Sequence, residues 1–130
     1  MAGTLTISTL SDGTNSTSST NCIQGSAKAW VNFNGTGTVA IRDSYNVSSI
    51  TDNGTGRYQV NFTNAMSNAN YGASVSVSSM PGVSDANLVS TDANGGSRAV
   101  PTTTAFSVTT FNAQFNALDM DYVRVAIFSS

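Results

Sequence analysis

The sequence predicts an all-β fold: an antiparallel β-sandwich, jelly-roll-like, of about seven or eight short strands, with an extended N-terminal arm. Three observations predict it. Only 9% of the residues are charged, with no Glu, no His and one Lys, while Ser, Thr and Asn supply roughly two-fifths of the chain. Such a composition is poor in helix formers. Second, large apolar residues alternate with polar ones at period two in several stretches, the mark of half-buried strands. Third, clusters rich in Gly, Asn and Asp punctuate those stretches. The regular alternation after about Gly25 argues against the disorder that so much Ser, Thr and Asn would otherwise suggest.

The centre of the pattern is a hairpin. In Arg57-Tyr58-Gln59-Val60-Asn61-Phe62-Thr63, the residues Tyr58, Val60 and Phe62 share one face. The preceding arm, Tyr45 to Ile50, alternates less cleanly, with Tyr45 and Val47 on one parity and Ile50 on the other. Between the arms, Asp52-Asn53-Gly54-Thr55-Gly56 is turn chemistry, longer than the tight Asn-Gly type.

In chain order, residues 1–25 read as an arm or linker and residues 26–130 as the sandwich. Leu5, Ile7 and Leu10 form one apolar cluster, with a short strand expected at Leu5 and Ile7. The polar run Ser11 to Thr20 reads as flexible or extended. From Ala27 to Asn34, Ala29, Val31 and Phe33 face the core. Trp30 falls on the other parity, either packed under the arm or a loop, or anchoring a neighbouring subunit. Val39 and Ile41 carry the next strand, and residues 64–70 a turn or single helical turn. Tyr71, Ala73, Val75 and Val77 line another strand, which Met80-Pro81-Gly82 ends. A weak strand at Asn87 to Ser90 and a turn at Asp92 to Gly96 follow. Two more strands lie near Thr104 to Phe111 and Asp121 to Ser129. The last is apolar on both faces, as expected of a central strand or one covered by another subunit.

Composition also bounds function. A net charge of −2 and a pI near 4.5 give no basic field for nucleic acid. Cys22 stands alone, so no disulfide framework or cysteine zinc site is expected. No leader or membrane span is expected either, which implies a soluble product made in a cytoplasm. With neither His nor Glu, nucleophile–base machinery is hard to assemble. No catalytic residue, metal or cofactor is expected, and the chain does not read as an enzyme. The nearest carboxylate pair, Asp119 and Asp121, reads as solvated loop residues beside the last strand rather than as acid and base across a bond. Asp92-Ala93-Asn94-Gly95 begins like a calcium loop but lacks the distal Glu. Asn-x-Ser/Thr triplets at Asn15, Asn34, Asn46, Asn53 and Asn61 arise by chance at this composition.

Lys28-Ala29-Trp30-Val31-Asn32-Phe33-Asn34-Gly35, the stretch from Tyr45 to Gly56, and Tyr58-Gln59-Val60-Asn61-Phe62-Thr63 together resemble a module common in small bacteriophage virion proteins. Many of these are tail-fibre proteins, often from phages of marine and aquatic bacteria. Ala2-Gly3-Thr4-Leu5 and Asn70-Tyr71 fit the same likeness, which covers most of Met1 to about Ser79. The resemblance implies a homo-oligomeric, trimeric structural protein of the virion, located on tail or capsid, that contacts other virion proteins and, through distal loops, a host surface glycan or protein. A tail-fibre or fibre-tip component is the expectation, with a capsid decoration protein and a carbohydrate-binding module as alternatives. The candidate receptor-contacting residues are Asp85, Asn87, Asp92 and Asn94, in the weakly structured run where the likeness fades. The candidate oligomer contacts are Leu5, Ile7, Leu10 and Trp30.

Overall fold

The structure is a computed structural model that describes residues 2–78, 88–91, 93–94, 97–98 and 100–130. Eight strands build two antiparallel four-stranded sheets. The first sheet orders β4 (Ala40–Tyr45), β3 (Ala27–Asn34), β12 (Tyr122–Phe128) and β7 (Gly72–Ser78). The second orders β5 (Val47–Asp52), β6 (Arg57–Phe62), β11 (Ala105–Phe111) and β8 (Leu88–Thr91). The expected all-β sandwich is the observed one. Two minor hairpins join β1 (Thr9–Ser11) to β2 (Ser16–Ser18) and β9 (Ala93–Asn94) to β10 (Ser97–Arg98).

The core lies between the sheets and follows the period-two pattern. Ala29, Val31 and Phe33 of β3 and Val123, Val125 and Ile127 of β12 meet Tyr58, Val60 and Phe62 of β6 and Phe106 and Val108 of β11. Each of the Val, Ile and Phe side chains, once buried, contributes about 1.5–3 kcal/mol relative to exposure. The Phe33 and Tyr58 rings bridge the sheets edge to face, with centroids 5.1 Å apart. Tyr71 packs the same way on Phe62 and Phe106. Residues 64–70 form bends without a helical turn. They are held by Met66, which is buried and donates its N–H to the Thr103 carbonyl.

The irregular parity before the central hairpin has a local cause. Asn46 sits at φ 55°, in the left-handed region that Asn tolerates. There the chain turns a corner from β4 in one sheet to β5 in the other. Tyr45 therefore belongs to a different strand from Val47. Within β5 a bulge places Ser48 opposite nothing, so that Val47 faces Phe62 and Ile50 faces Val60 across the ladder. One extra residue returns Ile50 to the parity of Val47.

The arm is more structured than its sequence suggests. Where a flexible or extended run was expected, the chain forms the β1–β2 hairpin and a short helix, α1 (Ser19–Gly25). Local polar bonds make both. Asp12 Oδ1 accepts from the N–H groups of Thr14 and Asn15 at 2.9 and 2.7 Å. Ser18 caps the helix by accepting from Asn21 N–H at 3.2 Å. The Asn15 bond first, then that from Thr14, holds the Asp12 carboxyl below its usual range. Leu5 and Ile7 lie in no strand, and no residue before Ala29 enters the core.

Candidate functional site

β12 is central in the first sheet, between β3 and β7, which accounts for its double-sided apolarity in part. Its inward residues are buried, but its outward ones meet no further layer among the described residues. Cross-strand register aligns that outer face in two rows. One row runs Asp43, Asn32, Arg124, Ser76, and the next Tyr45, Trp30, Ala126, Ser74. Trp30 is 37% exposed and Tyr45 59%. Trp30 is therefore a surface side chain of the open sheet face, paired with Tyr45 as its opposite neighbour. Trp30, Asn32, Ser74, Ser76, Arg124 and Ala126 line a cleft of about 260 Å³.

Charge on this face is sparse and organised. Arg42, the residue bulged out of the β3–β4 ladder, makes an ion pair with Asp121 at 2.8 Å. Its guanidinium also lies 4.0 Å from the Tyr122 ring centroid. Arg124 approaches the same ring at 4.9 Å. Asp119 does not behave as a solvated loop residue. It is half-buried, and its Oδ1 accepts from Gly56 N–H at 2.6 Å and from the Tyr58 hydroxyl at 2.7 Å. The Tyr58 hydroxyl also lies 2.9 Å from the Gly35 carbonyl. Burial first, then the Asp119 hydrogen bond and charge, raises the Tyr58 hydroxyl well above the usual tyrosine value. The two aspartates thus take different structural tasks: Asp119 ties the turn of the β5–β6 hairpin to the loop before β12, and Asp121 pins β4. Nothing in the arrangement sets them across a bond.

The arm presents a second surface. Leu5, Ile7 and Leu10 converge with Cys22 and Ile23 of α1 around a hollow of about 350 Å³. All but Cys22 are exposed, Leu5 at 81%. The four residues expected at an oligomer contact therefore fall into two sites, three in the arm and Trp30 on the sheet.

Of the expected receptor-contacting residues, Asp85, Asn87 and Asp92 lie outside the described residues. Asn94 is placed by its backbone alone, in β9, where it pairs with Ser97. Sequence reasoning missed Arg124, Ser74 and Ser76 as neighbours of Trp30, because strands far apart in sequence bring them together. It also missed Phe115, which is 76% exposed and sits at φ 61° in the loop between β11 and β12. Asn112 builds that loop tip, accepting from the N–H groups of Gln114 and Asn116. A large exposed ring in the left-handed region is uncommon enough to mark the tip as a specialised loop. In comparisons with family models, curated proteins and solved structures, nothing matches this chain.

Proposed function

We propose that this protein is a bacteriophage virion structural protein, a tail-fibre or fibre-tip subunit that assembles with copies of itself and presents its sandwich to the host surface. The observation that carries the reading is the arm. It withholds Leu5, Ile7, Leu10 and Ile23 from the sandwich core and leaves them exposed, Leu10 on the braced hairpin, Ile23 on the helix, and Leu5 and Ile7 on the segment before them. A cluster of that kind is an assembly device, because the same side chains left to water would favour association. The sandwich core is closed without it. The resemblance to tail-fibre modules carried by residues 28–35, 45–56 and 58–63 supports the virion setting, and the trimeric number comes from that resemblance alone.

Light scattering tests the assembly at micromolar concentration. The full-length protein is expected at a multiple of 13.4 kDa, trimeric on this proposal. A variant with Leu5→Ser, Ile7→Ser and Leu10→Ser together is expected to become monomeric while its melting temperature stays within a few degrees. A monomeric parent protein rejects the assembly. Antibody labelling of virions in the electron microscope places the protein on tail or capsid, and capsid labelling would select the decoration alternative.

A further inference from the structure

We infer that the outer face of the first sheet holds an acidic sugar residue, its pyranose ring against Trp30 and its carboxylate on Arg124. The hollow exists because of Ala126. This methyl lies in β12 between Trp30 of β3 and the small Ser74 of β7, with Arg124 two residues back on the same face, so the floor is low beside Trp30 and Arg124. The resulting cleft, about 260 Å³, is smaller than the roughly 300–1,000 Å³ of drug-sized sites. It admits one ring. The half-exposed indole offers an apolar face with a polar edge, which suits the C–H face of a pyranose. Ser74 and Ser76 stand opposite on the edge strand, and each hydroxyl both donates and accepts. On the Trp30 side, Asn32 Oδ1 is shielded from solvent and has no hydrogen-bond partner among the described residues, so a ligand hydroxyl can engage it only when the amide turns toward the cleft.

Charge selects the sugar. The one ion pair among the described residues joins Arg42 to Asp121. Arg124 stands between Asn32 and Ser76, with Asp43 one strand further along the row, and lies against the Tyr122 ring. It has no ion-pair partner among the described residues, so its guanidinium is available to a carboxylate, which it matches in a two-pronged bond. Trp30 and Arg124 are diagonal neighbours across adjacent strands, roughly 7–8 Å apart by sheet geometry. A hexuronate seated on the indole carries its carboxylate on C5 toward that neighbouring strand position, and the long Arg124 side chain closes the rest of the gap. One ring of about a dozen heavy atoms in so open a cleft binds on the order of millimolar, and a homo-oligomer multiplies that weak contact. The inference deepens the host-attachment part of the proposed function, although its geometry stands on the single chain.

The test is an NMR titration of the ¹⁵N-labelled full-length protein. The acidic probes are galacturonate and mannuronate trisaccharides and a hyaluronan tetrasaccharide; the neutral ones are maltotriose and cellotriose. The expected result is saturable movement of the Trp30 indole N–H and of the Ser74 and Ala126 amides with at least one acidic probe, about tenfold weaker with the neutral ones. Arg124→Gln should abolish the preference for acid, and Ala126→Leu should fill the hollow and abolish binding to both. Trp30→Ala provides a second route should the Leu variant melt early. Three outcomes overturn the inference: no movement with any acidic probe, binding that Ala126→Leu and Trp30→Ala leave intact, or the same resonances shifting on dilution alone, which would make the face a contact between copies. Virion labelling and light scattering fail or succeed separately. A virion subunit that ignores every sugar loses only this inference, and a sugar-binder absent from virions loses only the virion setting.

Discussion

Gly56 should be among the least replaceable residues in the chain, and two alanine substitutions separate the reasons. Gly56 and Gly37 have nearly the same backbone conformation, φ 66° and 61°. Alanine at either position pays the left-handed penalty of about 1 kcal/mol. At Gly37 a new Cβ meets nothing within 4 Å, whereas at Gly56 it lies 2.6 Å from the Thr110 carbonyl oxygen and 2.7 Å from the Leu118 nitrogen. Both neighbours are backbone, and both are fixed. Thr110 N–H donates to the Gly56 carbonyl at 2.8 Å, and Leu118 N–H donates to the Thr110 carbonyl at 3.0 Å. Relief requires the hairpin tip to withdraw, straining the 2.6 Å bond from Gly56 N–H to Asp119. Overpacking adds about 1–3 kcal/mol. The expected losses are therefore about 1 kcal/mol for Gly37→Ala and about 2–4 kcal/mol for Gly56→Ala, a fall in Tm of about 7–15 °C for the latter. Urea unfolding followed by far-UV circular dichroism measures both. A Gly56→Ala variant within 0.5 kcal/mol, roughly the additivity error, of Gly37→Ala would falsify the close-approach argument and leave only the conformational cost.

Two further predictions concern single side chains. Because the Tyr58 hydroxyl titrates above its ordinary value in the fold, the native state keeps a proton that the unfolded chain sheds from about pH 10 upward. Its contribution is intact below that pH, and stability should then fall by about 1.4 kcal/mol per pH unit. Urea midpoints from pH 9 to 11.5 should show that extra slope in the parent and lack it in Tyr58→Phe; parallel curves would remove Tyr58 as the cause. Replacing Phe115 with Asn should raise stability by about 0.5–1 kcal/mol, since Asn tolerates the left-handed region and the exposed ring adds little packing. A destabilised variant would mean that the ring holds its loop.

The sandwich was legible because one-sided burial imposes period two, and β3, β6 and β12 obey it almost residue by residue. The corner at Asn46 and the bulge at Ser48 were visible only as a lapse in that pattern, since parity alone cannot distinguish a bulge from an irregular strand. The arm was misread for a different reason. Its hairpin and helix rest on Asp12, Asn15 and Ser18 binding nearby backbone, an effect that polar composition conceals as easily as it reveals. Parity also put Trp30 on the outer face. What it could not supply was the company of Trp30: Arg124 lies 94 positions away in sequence, and only the β3–β12 register makes them neighbours. Sequence spacing gives Asp119 no sign of burial, because its partners, Gly56 and Tyr58, reach it across the sandwich.

The position of β12 between β3 and β7 also sets a timetable for folding. The strand nearest the start of the core pairs with the one nearest its end: Val31 sits opposite Val125, and Ala29 opposite Ile127. During synthesis β3 has only β4 beside it, and β7 has no partner in its own sheet, until the residues around 128 have left the ribosome. Closing so large a loop is entropically slow, which places such sheets in the millisecond-to-second range. Throughout that interval Val31, Phe33, Val75 and Val77 lack their neighbours in the sheet, and two strand edges stand open to the wrong partner. Yield from a nascent chain should accordingly depend on temperature and crowding more steeply than the stability of the finished sandwich does.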